Sequence, residues 1–232
     1  MIFYYITERR QFPGTERERR GRLLNKIAEA ARAGVDFIQL REKDLPAREL
    51  ELLAREAMRR IREDAGSTRA RLLVNSRVDV AIAAGADGVH LRADDVAASE
   101  TRVMFSKAGV HAPVIGVSCH SLAEVRLAES HGADFAVFGP VFEKSGAAGQ
   151  GLAALRDSCG QVAAHGIEAA VPAGQMPVLA LGGVTEENAA ACLRAGAAGI
   201  AGIRLFQEND VAKLVEKIRT HHRDSERRGI ED

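Results

Sequence analysis

Short runs of apolar and β-branched residues alternate along this chain with longer segments whose apolar residues recur at helical spacing. Leu23–Ala33 and Glu49–Ile61 each place apolar residues on one helical face. Strands that alternate with helices form a parallel sheet, and eight such units close into a single (βα)8 TIM barrel, which is the predicted fold. The predicted strands are Ile2–Ile6, Phe37–Leu40, Arg71–Val74, Gly88–Leu91, Val114–Val117, Phe135–Phe138, Val178–Leu181 and Gly199–Ile203.

A turn motif is repeated in front of four predicted strands. It reads Ala84-Gly85-Ala86-Asp87 in one copy and Ala33-Gly34-Val35-Asp36 in another. Glycine adopts the left-handed conformation at low cost, so we expect each of these glycines to end a helix. The repeat supports the barrel, but a fold does not identify a reaction.

Length and composition agree with one barrel domain. The chain has 232 residues, 32 of them basic and 32 acidic, and three well-separated cysteines. Zero net charge gives no general attraction to nucleic acid, and no apolar stretch is long enough to cross a membrane. Without a signal peptide or a cysteine framework, the protein is predicted to be cytoplasmic. We expect the barrel over residues 1–220, a polar, disordered tail over 221–232, and little order over Gln11–Arg19; the sequence leaves open a homo-oligomer.

Polar residues follow predicted strand 2, at the barrel end where reacting groups gather. Because side chains alternate along a strand, Gln39, Arg41 and Lys43 are expected on one face. Two cations and an amide suit a polyanion such as pyrophosphate. The alternative is a salt-bridge cluster with Glu42 and Asp44.

The ends of strands 3 and 4 carry further polar groups. Asn75 follows strand 3, and Asp94 and Asp95 follow strand 4. Paired acids at a barrel mouth can hold Mg²⁺, which takes a few carboxylates together with water and substrate phosphate. Alternatively, an aspartate caps a helix that starts near Val96, and Asn75 caps helix three.

Strand 5 is followed by Ser118, Cys119 and His120. Neighbours this close in sequence rarely reach the geometry of a nucleophile and its base. His120 remains a candidate general acid or base because its reference pKa lies near neutrality. Ser121 is expected to cap helix five, with Glu124 completing a capping box.

The loops after strands 7 and 8 are the frequent phosphate site of this fold. Gly182-Gly183 follows strand 7, and Ile203 and Arg204 follow strand 8. Bare backbone N–H groups at such a turn form a phosphate cradle. A simple turn is the alternative interpretation.

Together these motifs resemble thiamine-phosphate synthase and its sister group, the thiazole tautomerases. The resemblance extends from Tyr4 to about Leu214, and it implies an enzyme that binds phosphorylated small molecules. The synthases join hydroxymethylpyrimidine pyrophosphate to thiazole phosphate and release pyrophosphate. The motifs that carry it are Gln39-Leu40-Arg41-Glu42-Lys43, Val74-Asn75-Ser76-Arg77, Gly85-Ala86-Asp87-Gly88-Val89-His90-Leu91, Gly116-Val117-Ser118-Cys119-His120, Gly132-Ala133-Asp134-Phe135, Phe138-Gly139-Pro140-Val141-Phe142 and Leu181-Gly182-Gly183-Val184.

The resemblance assigns roles to the residues at the pyrophosphate end. Arg41 and Lys43 would hold the departing pyrophosphate, Asn75 would line the same site, and Asp95 would ligate Mg²⁺. Stabilising charge on a leaving pyrophosphate needs cations and a metal more than a covalent nucleophile.

Other roles implied by the resemblance concern the two organic substrates. Gln39 would contact the pyrimidine, and Ser118 would hydrogen-bond to it. Gly183 and the backbone near Ile203 and Arg204 would bind the thiazole phosphate.

Several residues depart from the synthase pattern. Ser76 stands where the synthases have a second aspartate, Arg92-Ala93 replaces Gly-Gln, and Arg204 replaces a serine. The loop after strand 6 lacks two threonines, for which Lys144 and Ser145 are candidate substitutes. These departures leave two alternatives to the synthase: a metal-independent tautomerase that uses His120, and a non-catalytic barrel that binds a thiamine precursor and regulates a partner.

Overall fold

The protein forms a closed barrel of eight parallel strands in chain order, in which β1 pairs with both β2 and β8. The computed structural model describes residues 1–64, 70–143, 148–160 and 175–228. The predicted (βα)8 barrel is therefore confirmed. The strands are β1 (Ile2–Ile6), β2 (Phe37–Leu40), β3 (Arg71–Asn75), β4 (Gly88–Leu91), β5 (Val114–Cys119), β6 (Phe135–Phe138), β7 (Val178–Ala180) and β8 (Gly199–Gly202).

Helices follow the strands and surround the barrel. Helix α9 continues through Arg228. Residues 221–228, which were expected to be disordered, are therefore helical. The domain boundary at residue 220 stays a prediction. No helix in the described ranges is long and apolar enough to cross a membrane. The helices are α1 (Glu16–Arg32), α2 (Ala47–Asp64), α3 (Val78–Ala84), α4 (Ala98–Lys107), α5 (Leu122–Ser130), α6 (Gly151–Ser158), α7 (Glu186–Arg194), α8 (Arg204–Gln207) and α9 (Val211–Arg228), with a 3₁₀ helix at Arg9–Gln11.

Helix α1 begins inside the segment Gln11–Arg19, where little order was expected. Thr15 accepts a hydrogen bond from the backbone N–H of Glu18, and the Glu18 carboxylate accepts one from the backbone N–H of Thr15. This capping box satisfies two donors at the helix end. The expectation was wrong because the Thr-x-x-Glu signal lies among charged residues that otherwise read as a loop.

The repeated glycine turns end their helices as predicted. Gly34 and Gly85 have φ angles of +82° and +69°, the left-handed region that favours glycine. The aspartate of each full motif also has a role. Asp36 accepts a hydrogen bond from the backbone N–H of Phe3 at 2.8 Å, and Asp87 accepts one from Leu72 at 2.7 Å. The motif therefore joins the start of one strand to the preceding strand of the barrel.

The apolar residues form two layers. One layer fills the barrel, where the Phe37 and Phe135 rings stack with centroids 5.0 Å apart and Tyr4 meets both edge-on. The larger layer lies between strands and helices and is built mainly from alanine, valine, leucine and isoleucine. Side chains fill the barrel interior, so substrates are restricted to its rim.

Replacing Thr15 with alanine tests the capping box that starts α1. We expect Thr15→Ala to lower the free energy of unfolding by about 1 kcal/mol, measured by urea denaturation, because N-cap donors lose their acceptor. Thr220→Ala is the matched control, since the exposed Thr220 hydroxyl donates only to the Glu216 carbonyl within α9. An equal loss in both variants would contradict the assignment.

Candidate active site

The side chains after β2 are arranged differently from the expected alternating face. The strand ends at Leu40, so Arg41 and Lys43 belong to a loop and strand periodicity does not apply to them. Gln39 is buried and donates a hydrogen bond to the Asn75 side-chain oxygen at 2.8 Å. The prediction that Gln39, Arg41 and Lys43 share one strand face was therefore wrong, although all three lie at the same end of the barrel.

Glu42 forms a buried network that excludes the alternative of a cluster with Arg41 and Lys43. Its carboxylate accepts hydrogen bonds from the Thr7 hydroxyl at 2.6 Å and from the Arg9 guanidinium at 3.0 Å. Arg9 also pairs with Asp44 at 2.7 Å, and the pairing lowers the pKa of Asp44 to about 2. The Thr7 hydroxyl in turn accepts the backbone N–H of Arg41 at 3.0 Å.

Arg41 and Lys43 remain available to an anion. Arg41 lies 3.6 Å from the Glu8 carboxylate, and both side chains are 26% exposed, so the pair is not closed. The exposed Lys43 lines a cavity of about 240 Å³ together with Asn75, Ser76 and Arg92. The pKa of Lys43 is lowered, first by the charge of Arg41, then by burial and by the charge of Arg92. The lining of the cavity carries three cationic side chains, Lys43, Arg77 and Arg92, against one buried carboxylate, that of Glu42, so its net charge is positive.

A hydrogen-bond chain connects the ends of β2, β3 and β4. Asn75 accepts from Gln39 and donates to the Ser76 hydroxyl at 3.2 Å, and Ser76 donates to the Asp95 carboxylate at 2.7 Å. Asp95 also accepts the backbone N–H of Arg92 at 2.8 Å. Neither capping alternative holds, because the N-cap residues of α3 and α4 are Arg77 and Ala97, and neither makes a side-chain cap bond.

Three side chains in this series of hydrogen bonds carry oxygen atoms that can ligate a hard cation. Asp95 is 16% exposed, and the oxygens of Asn75 and Ser76 lie in the same hydrogen-bond chain. Mg²⁺ prefers such oxygen ligands and takes its remaining positions from water and substrate phosphates. In the described part of the chain there is no group of three or more His, Cys, Asp or Glu side chains that would form an all-protein metal site.

Ser118 lies within β5, one residue beyond its predicted end. Its hydroxyl is 2.9 Å from Nε2 of His90, a histidine that sequence analysis did not single out. His90 is buried in the barrel interior beside Tyr4, and burial lowers its pKa to about 3. The ring is therefore neutral at ordinary pH. Its position in β4, two residues after Gly88, was the available signal, because alternate residues point into the barrel.

His120 is exposed just beyond β5, and one of its two ring nitrogens is held by a hydrogen bond. Nδ1 lies 2.5 Å from the Gly139 carbonyl oxygen. Because a carbonyl can only accept, Nδ1–H donates and Nε2 is left as an acceptor in the neutral ring.

Ser121 caps α5 as predicted, but the Glu124 carboxylate accepts the backbone N–H of His120 instead of completing the capping box. Burial raises the pKa of the Cys119 thiol to about 12, which argues against a nucleophile there.

A larger cavity of about 430 Å³ lies between the loops after β7 and β8, lined by Gly183, Ile203 and Arg204. Gly182 and Gly183 have φ angles of +94° and +64°, and a Cβ on Gly183 would lie 2.7 Å from the Phe142 Cβ. Only glycine fits there without strain. The predicted Gly183, Ile203 and Arg204 group is thus brought together, whereas Lys144 lies outside the described residues.

Thr7 is the hydroxyl that connects the Arg41 backbone to buried Glu42. We expect Thr7→Val, which keeps the shape but removes the hydroxyl, to lower the free energy of unfolding by about 1–3 kcal/mol because both partners lose a bond. Thr101 is the matched control, since its buried hydroxyl has no hydrogen-bond partner among the described residues. Thr101→Val should leave stability unchanged or raise it in the same denaturation assay, because it removes a buried hydroxyl that has no partner within the described ranges. Equal losses would contradict the proposed network.

Comparison with known proteins identifies the family of this chain. A protein of Methanoculleus marisnigri named thiamine-phosphate synthase is 41% identical over 206 residues, covering 86% of this chain and 88% of that protein. A thiamine-phosphate synthase of Moorella thermoacetica is 35% identical over 197 residues, covering 84% of this chain and 86% of that protein.

A solved structure and a family model agree with these relatives. The thiamine phosphate pyrophosphorylase of Pyrococcus furiosus superposes with a TM-score of 0.74 at 31% identity, covering 96% of each chain. The family model described as thiamine monophosphate synthase matches residues 3–206, most of the described barrel. The chain therefore belongs to the thiamine monophosphate synthase family.

Proposed function

We propose that this barrel is a thiamine-phosphate synthase, a transferase that joins hydroxymethylpyrimidine pyrophosphate to thiazole phosphate with release of pyrophosphate. The observation that carries the proposal is the cationic cavity lined by Lys43, Arg92, Asn75 and Ser76. Arg41 acts on Lys43 through its charge, and Ser76 donates a hydrogen bond to Asp95. A glycine-lined cavity on the same rim would take the second phosphate.

In this proposal Arg41 and Lys43 are the catalytic cations. The bond between the pyrimidine methylene carbon and the pyrophosphate oxygen breaks, and the pyrophosphate leaves with the electron pair. Arg41 and Lys43 stabilise that developing negative charge, and Asn75 donates from the side of β3. The thiazole nitrogen then supplies the electron pair for the new C–N bond. Preorganised charge is generally the largest contribution to such a step.

Asp95, with Ser76 and Asn75 beside it, would hold Mg²⁺ in this proposal. When bound, the metal neutralises charge on the pyrophosphate oxygens. A single carboxylate is sufficient if substrate phosphate and water complete the coordination.

The remaining roles follow the chemistry of each position. Gln39 and Ser118 would hydrogen-bond to the pyrimidine from β2 and β5. Gly183, Ile203 and Arg204 would bind the thiazole phosphate through backbone N–H groups and one cation. Lys144 as a further substrate contact, a cytoplasmic location and a homo-oligomer stay predictions of the sequence.

Turnover with both substrates tests the function. With hydroxymethylpyrimidine pyrophosphate, thiazole phosphate and Mg²⁺, we expect equimolar pyrophosphate and thiamine phosphate, measured by a coupled phosphate assay and mass spectrometry. Arg41→Ala should lower kcat by about 100- to 1,000-fold, as when one charge-stabilising donor is removed. Arg59→Ala, on the exposed face of α2, is the control. No product at saturating substrates would overturn the proposal, and tight thiazole phosphate binding without turnover would favour the regulatory barrel.

The fixed ring of His120 favours one second candidate, the tautomerase. Its Nδ1–H bond to Gly139 leaves Nε2 ready to move a proton. If the protein isomerised a thiazole carboxylate phosphate, it would do so in excess chelator, and His120→Ala would abolish that activity. If the synthase proposal is correct, we expect chelator to stop product formation, and His120→Ala to retain turnover within about tenfold, less than a general acid or base contributes.

A further inference from the structure

Arg92 lies beside both acidic residues at the end of β4. Its Nε is 3.2 Å from the Asp94 carboxylate and 3.4 Å from the Asp95 carboxylate. Its backbone N–H also donates to Asp95 at 2.8 Å. The proposed metal ligand is therefore already engaged by a cation of the same chain.

Arg92 also lines the cavity that contains Lys43. Its side chain is 58% exposed, so the guanidinium can change partners without disturbing the barrel core. Arg92 and Arg41 both act on Lys43 through their positive charges, so Lys43 is repelled by both in the absence of an anion. A pyrophosphate in the cavity would offer Arg92 oxygens of higher charge than the Asp95 carboxylate.

We propose that Arg92 is a counter-ion that occupies Asp95 until pyrophosphate binds, and that it then moves to the pyrophosphate and releases Asp95 to the metal. This inference rests on the proposed function, because it assumes a metal and pyrophosphate at this site. Arg92 thereby lowers the affinity of the empty site for the metal. The affinity rises when pyrophosphate is bound.

The direction of the effect follows from charge. A metal that binds alone must displace the Arg92 guanidinium from Asp95 and leave it near Lys43 and Arg41, which costs free energy. A pyrophosphate that binds alone is contacted by Arg92 in addition to Arg41 and Lys43. Linkage requires that each ligand raises the affinity of the site for the other by the same factor, so metal and pyrophosphate bind cooperatively.

Two binding measurements on the whole protein, without turnover, test the role of Arg92. Mn²⁺ alone is titrated and followed by the electron paramagnetic resonance of free Mn²⁺, and pyrophosphate alone is titrated by calorimetry in chelator. In Arg92→Gln we expect Mn²⁺ to bind about two- to fivefold more tightly, the range of a single exposed ion pair, and pyrophosphate to bind more weakly.

Opposite changes for the two ligands distinguish the counter-ion role from a structural one. A damaged loop would weaken both, whereas Arg92→Lys should keep both affinities near those of the original protein. Arg55→Gln is the matched control, because Arg55 has a similar exposure (54%) and also pairs with a carboxylate, Glu51, but lies on α2 outside the cavity. Unchanged or weaker Mn²⁺ binding in Arg92→Gln, unchanged pyrophosphate binding, or no saturable Mn²⁺ binding in either protein would overturn the inference. A protein that fails this test but still releases pyrophosphate on turnover keeps its proposed function.

Discussion

The ion pair between buried Arg9 and Glu42 determines which charges the rim presents. Glu42 lies between Arg41 and Lys43 in the sequence, where an exposed carboxylate would neutralise both cations. Burial raises the pKa of Glu42, whereas hydrogen bonds from Thr7 and Arg9 lower it. A buried charge of this kind is tolerated only when its bonds are satisfied. Since Arg9 supplies the balancing charge from the segment after β1, the neighbouring cations remain available to the cavity.

Local pattern predicted most of the barrel because each strand has its own signal. Apolar runs such as Phe37–Leu40 and Gly88–Leu91 follow glycine turns, so the start of each strand is marked. The pattern failed where polar residues continue an element. Strand β5 extends through Ser118, whose hydroxyl faces His90 and not solvent, and α1 begins among charged residues at Glu16.

The position of the site was predictable from topology, but its bonds were not. All strands are parallel, so residues that follow them must meet at one rim. The pairings that fix those residues join distant parts of the chain, as Arg9 and Glu42 (33 residues apart) or His90 and Ser118 (28 apart) do. No local periodicity reports such contacts. Arg92 illustrates the limit, since its departure from the family pattern was visible but its partners, Asp94 and Asp95, were not.

The order of strands also separates the two proposed anion sites. The cations follow β2 and β4, whereas the glycine-lined cavity follows β7 and β8. Around the barrel, β1 separates the two groups on one side, and β5 and β6 separate them on the other. Two substrates that both carry phosphate repel each other in a site of low dielectric constant. Placing their charges against different strands lets each be neutralised where it binds, so the uncharged ends can approach over the barrel mouth. The barrel thus supplies the separation, and the charged side chains of the loops after β2 and β4 are the groups to which we assign the chemistry.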